Sequence, residues 1–281
     1  MKELREIVAL WEQERSACAL ATLVRVTGSS YRRPGARMLI TPRGETAGGL
    51  SAGCIEEEVA AHARDVISGD GPKLVSFDTR RRFGCSGSID ILIERVDDEF
   101  MAVLRRNIAR REPFEIAAGE FVQTIEPVIR LLIFGDGPDT AALVRHAQLL
   151  GWDSHTFSAI TELRIEIDDR TAAVIATHSF GRDCAALRHL LPLGLRYVGL
   201  IGPRRRREEL LVDVLDSGAT MKSQLFAPAG LHIGAETPEE IAFSVIAEVQ
   251  SVFAGGTGEH LRDRKAPIHA NLAAACVASA R

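Results

Sequence analysis

Apolar residues recur along this chain with two rhythms, one helical and one alternating or continuous, and their succession changes near residue 128. At the start, Leu4, Ile7, Val8 and Trp11 fall at helical spacing with polar residues between them. This predicts a helix over about residues 1–15 that packs by one face. Residues 17–27 are rich in small and β-branched types and run into Gly28-Ser29-Ser30, as a strand does on entering a loop. A second strand is expected over 37–41, closed by the turn Thr41-Pro42-Arg43-Gly44. A helix over 55–67 stops at Ser68-Gly69-Asp70-Gly71-Pro72, strands follow over 73–77 and 89–96, and a helix over 98–111 comes last. Together these predict an N-terminal mixed α/β domain over 1–112, with the proline-bounded segment 113–127 as a linker.

The second half alternates strictly. A buried-type strand over 128–134 ends in Gly135-Asp136-Gly137-Pro138-Asp139-Thr140, and a helical pattern through Ala141, Leu143, Val144, Ala147 and Leu150 follows. Further strands are expected over 152–157, 172–177 and 197–201, with a helix over 183–191. The order predicts a Rossmann-like doubly wound parallel sheet over 128–258, covered on both faces. Thr237-Pro238-Glu239-Glu240 combines a capping threonine, proline at the first helical position and glutamate at the third. It opens a helix over 241–253 that stops at Gly255-Gly256, and the Ala-rich residues 259–281 read as a fraying tail.

Composition narrows the class. The chain has 281 residues, 46% hydrophobic and 26% charged, which suits two globular domains with their own cores. A net charge of −4 gives no general attraction for nucleic acid or an anionic membrane. Five cysteines, Cys18, Cys54, Cys85, Cys184 and Cys276, form no C-x-x-C pair, so neither a disulfide framework nor a zinc site is expected. The charged opening Met-Lys-Glu-Leu-Arg-Glu has no signal-type apolar stretch, and no apolar run reaches the ~18 residues of a membrane span. A cytoplasmic protein is the expectation.

Candidate chemistry gathers in loops. In Gly48-Gly49-Leu50-Ser51-Ala52-Gly53-Cys54-Ile55-Glu56-Glu57-Glu58 a glycine-rich loop runs into a helix start, with Cys54 at the junction. Unpartnered helix-start amides and the helix dipole favour an anion there, and they favour thiolate at Cys54. Gly53-Cys54-Ile55 is equally compatible with a packed turn, and the three glutamates partly offset the thiolate. The loop Gly28-Ser29-Ser30-Tyr31-Arg32-Arg33-Pro34-Gly35 offers hydroxyls, amides and Arg32 to an anion, or is a solvated hairpin loop. A second cysteine stands in Gly84-Cys85-Ser86-Gly87, beside Arg80, Arg81 and Arg82. In the second half, Thr177-His178-Ser179 at a strand end and Arg204 to Arg207 beyond the fourth strand are the candidates.

The glycine turn departs from the dinucleotide fingerprint. Gly135 and Gly137 are present, but Thr140 stands at the third glycine, Asp136 lies inside the turn, and Ser158 occupies the region where a ribose-binding acid is expected. NAD(P) binding is therefore not expected, and a nicotinamide- or flavin-dependent oxidoreductase is the alternative. A thiol enzyme with Cys54 as nucleophile is a further rival, for which His62 is poorly spaced as a base.

Four segments together resemble the XdhC/CoxI family: Thr27-Gly28-Ser29-Ser30 through Gly35-Ala36-Arg37-Met38, Ser51-Ala52-Gly53-Cys54-Ile55-Glu56, Gly84-Cys85-Ser86-Gly87, and Ile233-Gly234-Ala235-Glu236-Thr237-Pro238-Glu239-Glu240. The resemblance implies an accessory protein, not a turnover enzyme, for xanthine dehydrogenase and related molybdenum hydroxylases. Such a chaperone binds molybdenum cofactor, holds it while a cysteine desulfurase supplies a sulfido ligand, and delivers it to the apo-hydroxylase. On this reading Gly28, Ser29, Ser30, Arg32, Gly53, Cys54, Gly84, Cys85, Gly135 and Gly137 contact the molybdopterin, with Cys54 and Cys85 toward the metal. A homodimer is expected. Ser86 replaces a usual family glycine, and the Phe134-Gly135-Asp136-Gly137-Pro138 turn differs from the usual one.

Overall fold

The structure is a computed structural model and describes residues 1–14, 16–78 and 87–265. The chain divides into two compact units that part between Pro127 and Val128.

The first unit is built on an antiparallel sheet of five strands: β1 (Cys18–Gly28), β2 (Arg37–Ile40), β3 (Thr46–Gly48), β4 (Lys73–Asp78) and β5 (Gly87–Val96). Their order across the sheet is β3-β2-β1-β5-β4. Strand periodicity sends alternate residues to opposite faces. Ala19, Ala21 and Leu23 of β1, with Met38 and Ile40 of β2, meet Val59, Ala63 and Val66 of helix α2 (Glu56–Ser68). Cys18, Leu20 and Leu39 face the other way, toward Leu4, Ile7 and Val8 of α1 (Lys2–Glu14) and Met101 and Leu104 of α3 (Asp98–Arg110). Both faces are therefore covered, which explains why β1 is buried on six successive residues from Cys18.

The expected linker over 113–127 is a hairpin instead, β6 (Phe114–Ala118) paired with β7 (Phe121–Ile125). Two residues, Gly119 and Glu120, join the strands, and Gly119 has φ +56°. Ile116 and Ile125 lie buried in the cluster with α1 and α3. The flanking Pro113 and Pro127 suggested a spacer, but the apolar alternation inside them decides the fold. The short β3, hidden in sequence by its closing glycine, pairs with β2 at Ile40↔Thr46.

The second unit is a parallel sheet of β8 (Arg130–Phe134), β9 (Asp153–Phe157), β10 (Thr171–Ile175), β11 (Val198–Leu200) and β12 (Leu225–Phe226). Its order, β12-β11-β10-β8-β9, is the doubly wound arrangement with a topological switch point between β8 and β10. Leu131 and Ile133 pack against α4 (Pro138–Leu149) and α7 (Pro238–Ala254). Leu132 and Phe134 pack against α5 (Phe180–Leu190) and α6 (Arg204–Asp216). The near-continuous apolar run of β8 thus serves two layers of helices. The predicted cap of α7 forms in full: Glu240 N–H donates to Thr237 Oγ1 at 3.3 Å, and Thr237 N–H donates to Glu240 Oε2 at 3.0 Å. Among the described residues, no helix is long and apolar enough to cross a membrane.

Candidate cofactor-binding site

In the first unit the candidate residues gather at one end of the antiparallel sheet. Gly28 ends β1 opposite Gly87, the first residue of β5. The approach is close enough to require glycine, since a Cβ on Gly87 would lie 2.3 Å from the Thr27 carbonyl oxygen. Ser29 is exposed and Ser30 half-buried just beyond that contact. Arg32 is not held out toward a ligand. Its guanidinium donates to both carboxylate oxygens of Glu3 on α1, at 2.8 and 2.6 Å. The Glu3 bond holds the Arg32 charge more firmly despite partial burial, and Glu56 adds to that effect through space. The loop after β1 and the loop before α2 are therefore within electrostatic reach of each other.

The loop before α2 satisfies its own amides. Leu50 N–H and Ser51 N–H donate to Glu56 Oε1 at 3.2 and 2.7 Å. Ser51 Oγ–H and Ile55 N–H donate to Glu56 Oε2 at 2.7 and 3.1 Å. Ser51 Oγ in turn accepts from Gly53 N–H at 3.2 Å and Cys54 N–H at 3.0 Å. Burial alone would raise the Glu56 carboxyl, but the Ser51 hydroxyl and the Ser51, Ile55 and Glu56 amides outweigh it and hold the group below the usual range. The amides of Leu50, Ser51 and Ile55 are thus taken up by the chain's own Glu56 carboxylate, and those of Gly53 and Cys54 by the Ser51 hydroxyl oxygen. Gly53, with φ +99°, turns the loop so that Cys54 stands exposed as a free thiol. Gly84, Cys85 and Arg80 to Arg82 lie outside the described residues.

In the second unit the switch point brings together the turn after β8 and the loop after β10. Gly135 is needed there, because a Cβ would meet the Ala176 carbonyl oxygen at 2.5 Å. Gly137 is half-buried and open to added bulk. Polar side chains from the two sides are then bonded to one another there. His178 Nε2 lies 2.9 Å from Oδ2 of Asp139, in the first turn of α4. Arg182 reaches Asp136 at 3.4 Å, the Ser158 carbonyl at 3.2 Å and the Thr177 carbonyl at 3.1 Å. Beneath them Asp183, 1% exposed, accepts two bonds on Oδ2 from Arg206 at 3.1 and 2.6 Å and is bonded through Oδ1 to the Thr177 hydroxyl. Arg206, one of the four arginines of the expected basic cluster, is therefore tied to Asp183. His178 itself has φ +53°, an uncommon conformation for a residue other than glycine.

Asp139, Arg182, Asp183 and Glu56 escaped sequence reasoning. Acids in a first helical turn are common, and nothing local distinguished the one that folds back onto its loop. The expected gap at Ser158 is partly filled by Glu162, whose Oε2 accepts the Ser158 N–H at 2.9 Å. Cys184 is a buried packing thiol: it donates to Asp213 Oδ2 at 2.8 Å. Burial first, and then Asp213, pushes its thiol up to about 11. Among the described residues, no group of three or more His, Cys, Asp or Glu side chains forms a metal site.

These features define a class, a two-unit α/β protein with an exposed cysteine on a tied loop of one unit and a doubly wound sheet as the other. Residues 11–78 match the XdhC and CoxI family, and residues 131–249 match the XdhC Rossmann domain. The chain belongs to the XdhC and CoxI family. It is 29% identical to a Bacillus subtilis protein named as a probable xanthine dehydrogenase subunit, over 86% of this chain and 94% of that one. It is 26% identical to the molybdenum cofactor insertion chaperone PaoD of Escherichia coli, over 83% of this chain and 82% of that one. The fold is also that of a Bacillus halodurans protein described as a xanthine dehydrogenase, with a TM-score of 0.79 at 24% identity, over 97% of this chain and 100% of that one.

Proposed function

We propose that this protein is a maturation factor that binds molybdenum cofactor, supports its sulfuration with a cysteine desulfurase, and inserts it into a xanthine dehydrogenase-type hydroxylase. The observation that carries the reading is Cys54, a free exposed thiol on a glycine-turned loop whose amides are already bonded. A soft thiolate suits an oxidised molybdenum centre, so the donor chemistry fits the group. The relatives named for xanthine dehydrogenase and for cofactor insertion support the same reading. When bound, the cofactor supplies the redox-active metal that the client hydroxylase needs; this chain's part is to hold and release it. Cys54, and Cys85 with it, would meet the metal side, while Gly28, Ser29, Ser30, Gly53 and Gly84 would line the pterin side. Arg32 serves this site indirectly, by tying the loop after β1 to α1.

A dinucleotide is disfavoured in the second unit on electrostatic grounds. Asp139 places its carboxylate on the helix start where a pyrophosphate would sit, and Pro138 removes one of the amide donors. Gly135 and Gly137 are on this reading turn-formers, not pterin contacts.

The test is anaerobic titration of the protein with released molybdenum cofactor, followed by addition to apo-hydroxylase with and without desulfurase and cysteine. Saturable binding and desulfurase-dependent activation are expected. Tight NAD or NADP binding without cofactor binding would replace this reading by the oxidoreductase one. Light scattering of the same preparation tests the expected homodimer.

A further inference from the structure

Of the three glutamates that open α2, Glu56 is half-buried while Glu57 and Glu58 are exposed. Glu56 folds back on the loop before it, and its two oxygens collect the Leu50, Ser51 and Ile55 amides and the Ser51 hydroxyl. The Ser51 oxygen passes the constraint to the Gly53 and Cys54 amides. Five N–H groups of the loop are thereby fixed by a single carboxylate and its hydroxyl relay. A ligand approaching this loop meets a sulfur and finds these five donors engaged.

We infer that Glu56 is a positioning residue for Cys54: it lashes the loop so that the thiol stands toward solvent, and it leaves the sulfur as the group through which the loop engages a ligand. The inference rests on the reading of Cys54 as the cofactor-side thiol. It also divides the ligand's contacts, because an anionic tail of the cofactor would have to evict Glu56 to reach these amides. Charge-assisted bonds of this kind are the stronger ones, so eviction is costly. Glutamine at this position is isosteric but puts an NH2 where one oxygen now accepts two donors, and so at best keeps half of the bonds.

The experiment uses the full chain as wild type, Glu56→Gln, Ser51→Ala, which removes the relay alone, and Glu57→Gln as control. Amide hydrogen exchange over residues 48–56 and the rate of Cys54 alkylation by iodoacetamide at one fixed pH need no cofactor. Pterin retention and binding of inorganic phosphate are measured alongside. In Glu56→Gln, exchange should speed up by about tenfold or more on the side where the NH2 replaces an acceptor oxygen, either at Leu50 and Ser51 or at Ile55. Ser51→Ala should free Gly53 and Cys54 in the same way, the alkylation rate should change in both, and Glu57→Gln should match wild type. Pterin retention should fall in both variants with phosphate binding unchanged. Unaltered exchange across 50–55 in Glu56→Gln would overturn the inference. So would a gain in phosphate or pterin binding, which would make Glu56 a plug over an anion site. If wild type itself retains no pterin, the functional reading fails, and exchange and alkylation still decide the role of Glu56. Should Glu56→Gln not fold, Ser51→Ala carries the same readouts.

Discussion

Two glycine turns feed helices in this molecule, and they solve the problem of the helix start in opposite ways. Before α2, the chain answers its own amides with Glu56 and leaves a thiol outside the network. Before α4, Asp139 is bonded to His178 of the loop after β10, and Asp136 to Arg182 in the first turn of α5. The first arrangement leaves one exposed thiol on a hydrogen-bonded loop. The second uses the side chains of a ligand-binding topology to bind the loops together. A switch point in a doubly wound sheet is therefore only an opportunity for a ligand, and the side chains at the strand ends decide whether it is taken.

The contrast can be broken most strongly at the level of thiol chemistry. Site-resolved alkylation of the native protein should complete at Cys54 while Cys184 reacts at least about a hundredfold more slowly, because Cys184 needs local opening to meet reagent. Mass spectrometry of the labelled peptides checks this. Next in size, Asp183→Ala leaves the Arg206 guanidinium without its carboxylate and should cost about 3 kcal/mol in denaturant unfolding. Cys54 alkylation should not change with it. Loss of the α7 cap in Thr237→Ala should cost about 1 kcal/mol, again without effect on the thiol.

The smallest effect is one of pH. Burial and Asp213 raise the Cys184 thiol from its ordinary 9.0 to about 11. The native state then holds this proton more tightly than the unfolded chain, so the contribution is fully present below pH 9 and is lost as pH rises toward 11. Unfolding curves across that window should fall more steeply in wild type than in Cys184→Ala.

Much of this was legible in sequence where one physical rule acted alone. The amphipathic stripe of Leu4, Ile7 and Val8, the capping box at Thr237 and the strand–turn–helix order from residue 128 needed only local periodicity. The hairpin over 114–125 was missed because bounding prolines outweighed a quiet alternation, although Gly119-Glu120 between two apolar runs was the signal for it. Cys54 was legible as a junction thiol. Its setting was not, since nothing in Glu56-Glu57-Glu58 tells which carboxylate turns back, and the pairing of Arg32 with Glu3 spans 29 positions. Long-range charge pairing of this sort depends on which loops the fold brings together. The pairing of Asp183 with Arg206, 23 positions apart, is of the same kind.

On the proposed function, the thiol of the first unit, and not the crevice of the second, holds the cofactor. The most direct measurement is the molybdenum and pterin content per chain of anaerobically purified wild type, Cys54→Ala and Arg182→Ala. Near-stoichiometric cofactor is expected on wild type and Arg182→Ala, and little on Cys54→Ala. Full retention by Cys54→Ala together with loss in Arg182→Ala would contradict this reading and move the site to the doubly wound sheet.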